Sequence, residues 1–174
     1  MTAKMTEGDP MLTPDDVTKM PQDERLRRLG DGPDTLARSI AGQTEAVLGR
    51  RPDAKNWAPK EVVCHLRDTE ELFMLRFEMI VGMDEPKLIP PVDPDRWAEE
   101  RQYLRNDAAE ALAAFRKRRA ESLAFLGGLT PAQWQQGGVH PTRGRIVVGD
   151  IVALMVSHDD NHLEQLHRGL RGEA

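Results

Sequence analysis

The sequence predicts an all-α protein, a four-helix bundle with one long crossover connection. Apolar residues recur at helical spacing in four long stretches, and glycine and proline punctuate the gaps between them. No strand-like alternation extends beyond the short run Arg145-Ile146-Val147-Val148, and there is no internal repeat. Four amphipathic helices with one long connection suit a bundle.

The elements follow in order. The segment to about Gly8 is polar and is expected to be loose. Thr13-Pro14-Asp15-Asp16 carries a capping Thr, a first-turn Pro and an early acid, which predicts a short helix to about Leu29. Gly30-Asp31-Gly32-Pro33 is expected to break it, which separates an N-terminal extension, 1–30, from a bundle domain, 31–174. The first long helix is then predicted over Asp34 to Leu48, with Leu36, Ile40, Val47 and Leu48 as its apolar side and Gly49 as its stop. The second starts at Pro59, a favoured first helical residue, and runs to about Val81. A long connection holds Pro86, Pro90, Pro91 and Pro94, with a helical turn expected from Pro94 through Tyr103. The third helix covers about Asn106 to Leu126 and stops at Gly127-Gly128. Thr130-Pro131-Ala132-Gln133 has the capping-box pattern of a short turn, and the last helix covers about Gly149 to Leu170.

Composition narrows the function. At 174 residues, with 39% hydrophobic and 30% charged residues, the chain reads as one soluble globular domain. A single cysteine, Cys64, excludes an intramolecular disulfide and suits a reducing, cytoplasmic setting. The first residues lack the apolar run of a secretory signal, and no stretch approaches the ~20 apolar residues of a membrane span. A net charge of -5 argues against nucleic acid as the main partner.

Histidines carry the chemical signal. The last helix has the stripe Ile151, Leu154, Met155, His158, His162, Leu166, and residues four apart share a face. His65 holds a matching core-facing place in the stripe Val62, His65, Leu66, Thr69, Leu72, Phe73. Imidazoles turned into a bundle core need a partner. A divalent ion supplies one, since imidazole nitrogen is a good ligand for zinc, nickel, iron and copper. Hydrogen-bonded core histidines satisfy the same pattern, so periodicity leaves both readings open. His167, five residues past His162, lies well around the helix.

Two segments add a resemblance. Asn56-Trp57-Ala58-Pro59-Lys60-Glu61-Val62-Val63-Cys64-His65-Leu66-Arg67-Asp68 resembles the W-[ST]-P-x-E-V-x-x-H-L-x-D signature of the DinB/YfiT-like superfamily. Val139-His140-Pro141-Thr142-Arg143-Gly144, followed by Ser157 to Leu166, is similar to that family's H-P-x-x-G and H-D-x-x-H-x-x-Q-[IL] ending. Ala58 departs from the usual Ser or Thr, which removes a helix cap worth ~1 kcal/mol. The resemblance implies a four-helix bundle holding a metal through His65, His158 and His162. It also implies a thiol-dependent S-transferase or a hydrolase acting on a small molecule, with a low-molecular-weight thiol as one substrate, and a homodimer. A non-catalytic metal- or ligand-binding bundle is the alternative.

Around the triad, Glu61, Asp68 and Asp159 are candidates to orient the imidazoles, with solvated helix surface as the plainer reading. Thr69, Asn161, Gln165 and His140 are further candidates near the pocket. Cys64 points about 100° away from His65 on the helix and is not expected to take part. Arg116-Lys117-Arg118-Arg119 reads as a solvated basic face with intrahelical ion pairs to Glu110 and Glu121. Trp57, Trp97 and Trp134 read as packing anchors at the bundle ends.

Overall fold

The computed structural model describes residues 12–174 and is a four-helix bundle with short accessory elements. The expected loose segment to Gly8 lies outside the described residues. Helix α1 (Pro14–Thr18) opens as expected, with a reciprocal Thr13–Asp16 capping box. It then stops, because Pro21 disfavours helical backbone at the residue before it.

Helix α2 (Gln22–Ile40) runs straight through the predicted break at Gly30-Asp31-Gly32-Pro33. Pro33 has no N–H, so the carbonyl of Leu29, four residues back, loses its helical donor. Arg119 Nη1 donates to that carbonyl instead, at 2.9 Å. A side chain from another helix therefore repairs the gap that local propensity would have left open. The predicted Asp34–Leu48 helix is accordingly divided. Its first part belongs to α2, Gly42 turns the chain at φ 73°, and α3 (Glu45–Leu48) restarts on a Thr44 cap.

Helix α4 (Pro59–Gly82) lacks a side-chain cap at Ala58, but the Glu61 carboxylate accepts from the Ala58 N–H at 2.9 Å. The long connection holds α5 (Pro94–Glu100), capped by Asp93. Gln102, at φ 52°, then turns the chain into a 3-10 turn at Tyr103–Arg105. Helix α6 (Ala108–Gly127) follows, then α7 (Pro131–Trp134) with its Thr130–Gln133 capping box. A hairpin of β1 (Gly137–His140) and β2 (Gly144–Val147) precedes α8 (Val148–Arg171). Strand β1 is not among the elements that the sequence pattern predicts. Its Gly-Gly start has no alternating pattern, and a side chain on Gly138 would meet Leu88 Cδ2 at 2.7 Å and Pro86 O at 2.9 Å.

Helices α4 and α2 each pack against both α6 and α8. Helices consecutive in the chain order α2, α4 therefore sit diagonally rather than side by side. The core has two apolar halves. One holds Leu29, Phe73, Phe77, Leu126, Ile151 and Met155; the other holds Leu36, Val62, Leu66, Tyr103, Phe115 and Leu166. Between them, every long helix except α2 contributes polar side chains: His65, Thr69 and Glu70 from α4, Arg119 and Ser122 from α6, His158, Asp159 and His162 from α8. Among the described residues, no helix is long and apolar enough to cross a membrane.

Candidate metal centre

The structure brings His65, His158 and His162 together, with one ring nitrogen of each within 4.8 Å of the others. Helix α4 supplies the first from a nearly buried position, and one face of α8 supplies the other two, a turn apart. His65 Nε2 and His158 Nε2 lie 3.0 Å apart, and the ring centroids of His158 and His162 lie 4.4 Å apart. Burial, followed by the neighbouring imidazoles, pushes His65 down to about 2. Burial and His158 push His162 down to about 3. Both rings are therefore neutral at physiological pH, the state in which imidazole ligates metals.

The donor set fits a divalent cation. His162 Nδ1 donates to Gln165 Oε1 at 2.8 Å, which leaves Nε2 with its lone pair directed at the cluster. His158 Nδ1 is buried and has no hydrogen-bond partner among the described residues; Asp159 Oδ1, at 3.8 Å, is beyond bonding range. Thr69 Oγ1 lies 3.3 Å from His65 Nε2. Trp57 stacks on His162 at 6.2 Å and tilts against His65 at 4.9 Å, and Phe73 meets His158 edge-on at 5.7 Å. The triad opens into a cavity of about 450 Å³, walled also by Leu72, Arg76, Pro91 and Val92.

The other sequence candidates divide. Gln165 and Thr69 touch the triad as expected. Asn161 is exposed, and His140, though buried, bonds Thr142 and does not line the cavity. His167 is bonded to Ser39, away from the cluster. Cys64 is buried near the Tyr103 carbonyl, and burial pushes its thiol up to about 11, so it is inert. Glu61 is taken by Arg51 and by the α4 cap. Asp68 faces away, into a cluster of Arg67, Arg101, Arg118 and Tyr103.

Asp159 sits beside the triad but is held by Arg119 Nη1 at 2.7 Å. Burial alone would raise its carboxyl, yet Arg119 keeps it below the ordinary value. Arg119 also binds Glu70 through two bonds of 2.9 and 2.7 Å and is only 1% exposed. The basic run is the solvated face expected only at Arg116 and Lys117, which are exposed; Lys117 pairs within its helix, with Glu121, while Arg116 reaches Asp34 and the half-buried Arg118 reaches Asp68 and Glu71. Trp57, expected as a packing anchor, forms a wall of the site and donates to Asp95 Oδ1 at 2.9 Å. Arg76 is not among the sequence candidates. Its signal was spacing: His65, Thr69, Leu72 and Arg76 form one stripe on α4, so a cation continues the line of the site.

Comparison with known proteins agrees with this architecture. The family model described as DinB superfamily matches residues 28–166. "Putative metal-dependent hydrolase YfiT" of Bacillus subtilis is 25% identical over 151 residues, covering 86% of this chain and 84% of that protein. "Putative metal-dependent hydrolase OB0413" of Oceanobacillus iheyensis is 24% identical over 165 residues, covering 94% of each chain. The solved structure of YfiT from Bacillus subtilis, described as having an unusual four-helix bundle topology, superposes with a TM-score of 0.80 at 23% identity, covering 90% of this chain and 92% of that one. With a family match spanning most of its length and a shared bundle, the chain belongs to the DinB superfamily.

Proposed function

We propose that the protein is a metal-dependent enzyme acting on a small molecule, with a divalent ion (zinc, nickel or iron) held by His65, His158 and His162. One observation supports this above the others: three imidazoles from two helices converge, ring nitrogens toward one another, at a cavity of substrate size. An ion held by these three residues would supply a Lewis acid that lowers the pKa of a water or thiol toward neutrality. The relatives' names favour hydrolysis, and the same arrangement serves transfer to a low-molecular-weight thiol.

The chain's own residues set up that chemistry. Gln165 fixes the tautomer of His162. Thr69 Oγ1 stands where it can accept a hydrogen bond from, or donate one to, a nucleophile beside His65. Trp57, Leu72 and Phe73 give the cavity apolar walls that thin out water around the reacting bond.

Metal analysis of tag-free protein tests the site. One ion per chain is expected, lost in His158→Ala and His162→Ala. Turnover of activated esters, or of electrophiles with bacillithiol, mycothiol or glutathione, is expected in the loaded protein and absent in His65→Ala. Metal without turnover in either assay would favour a non-catalytic binder. Absence of metal, with a melting point indifferent to chelator, would sink the reading.

A further inference from the structure

A buried cation without a counter-charge stands at the far end of the same cavity. Arg76 is 5% exposed and lies three turns past His65 on α4, about 16 Å along the axis. Its Nε and Nη2 both donate to one acceptor, the Ile89 carbonyl, at 3.2 and 2.9 Å. Among the described residues no acid pairs with it, in contrast to Arg119, which binds two. Burial depresses the guanidinium with nothing opposing it, and the charge of Arg76 adds to burial in lowering His140. An arginine taken out of water this way is normally matched by an anion.

The cavity makes that anion external. Its charged lining residues are Arg76, Lys55 and Asp95; Lys55 is exposed, and Asp95 already accepts from Trp57. With the Nε side of the guanidinium given to Ile89, the end-on fork of Nη1 and the second Nη2 proton remains, which matches the two oxygens of a carboxylate. Helical side chains lean toward the N-terminus, and the longer Arg76 side chain reaches further back than His65 does, so the gap is somewhat shorter than the axial spacing, on the order of 10–15 Å.

We propose that Arg76 is a specificity-determining binding residue, and that the substrate is a small molecule with a carboxylate on the order of 10–15 Å from the bond that reacts at the histidines. The distance rests on the triad being the reacting end; the anion site itself does not.

Thiol probes on cobalt-loaded full-length protein test this, read by the thiolate-to-cobalt absorption band. 8-Mercaptooctanoate is expected to bind about tenfold more tightly than 8-mercaptooctanol. Arg76→Gln should erase that preference and leave the affinity for the alcohol and the cobalt spectrum unchanged, while Arg76→Lys keeps part of it. Equal affinities in the native protein would overturn the proposal. So would an Arg76→Gln variant that melts lower yet keeps the preference, since Arg76 would then only brace Ile89. Failure to take up cobalt would count against the triad alone. Calorimetry of octanoate against octanol on the metal-free protein then decides the anion site: an octanoate preference lost in Arg76→Gln supports it, and no preference overturns it.

Discussion

Around Asp68, three guanidiniums and a phenol converge on one nearly buried carboxylate: Arg67 at 2.7 Å, Arg101 at 2.8 Å, Arg118 at 3.3 Å and the Tyr103 hydroxyl at 3.0 Å. Burial by itself would raise this group, but the bonds from Arg67, Arg101 and Tyr103 outweigh it and hold Asp68 at about 2, against an ordinary 3.8. Because the folded value lies below the unfolded one, the ionised carboxylate stabilises the fold. That stabilisation is complete above the ordinary carboxylate value and is lost as pH falls through about 2. In urea titrations between pH 5 and pH 2, the native protein is expected to lose about 1–2 kcal/mol more stability than Asp68→Asn, allowing for solvent screening. Parallel pH profiles for the two proteins would contradict this. Asp68 also shows what spacing cannot tell. Residues three and four away from a ligand share its side of the helix only roughly, and the choice between facing a site and facing a neighbouring helix is made by partners far off in sequence. The histidines were legible because two stripes put them inside; the guanidiniums around Asp68 were not, because α5, the 3-10 turn and α6 deliver Arg101, Tyr103 and Arg118 from elsewhere.

At the scale of the element, α2 is the instructive case. Its sequence contains two glycines and a proline within four residues, each unfavourable in a helix, and local reasoning ends the helix there. The tertiary contact from Arg119 to the Leu29 carbonyl supplies what Pro33 withholds, and the packed helix continues. If packing rather than backbone freedom sustains this stretch, the glycines are a cost. A Cβ on Gly30 would meet only Leu123 Cδ1, at an ordinary 3.7 Å. Gly30→Ala is therefore expected to stabilise the protein by about 0.5–1 kcal/mol and to raise Tm by about 1–3 °C, measured by thermal unfolding. A lower Tm would mean that the residue serves some close approach. Elements whose signals are local were readable: the capping boxes at Thr13 and Thr130, the proline start of α4 and the periodic stripes of α4 and α8. The hairpin was half readable, since Ile146 and Val147 alternate as a strand should while β1 is built of Gly137, Gly138, Val139 and His140.

Over the whole molecule, the layer between the two apolar halves gathers the histidine triad and the Arg119 cluster. Arg119 joins all four bundle helices: it stands on α6, over the ring of Phe115, and bonds Leu29 of α2, Glu70 of α4 and Asp159 of α8. Arg119→Met would leave two buried carboxylates without a cation, and is expected to cost about 3–5 kcal/mol in urea unfolding, well beyond what an exposed arginine contributes. A loss below about 1 kcal/mol would show that water or neighbouring groups take over the charge. The same contacts bear on synthesis. Leu29 and Arg119 are 90 residues apart, and Asp159 follows 40 residues later. A chain still emerging from the ribosome carries an undonated carbonyl in α2 and an unneutralised Glu70 in α4 until α6 appears, and the Arg119 cluster lacks its second acid until α8 does. No three-helix fragment completes this layer, so closure of the bundle waits for the C-terminal helix, and that helix's two triad histidines, His158 and His162, arrive in the same step.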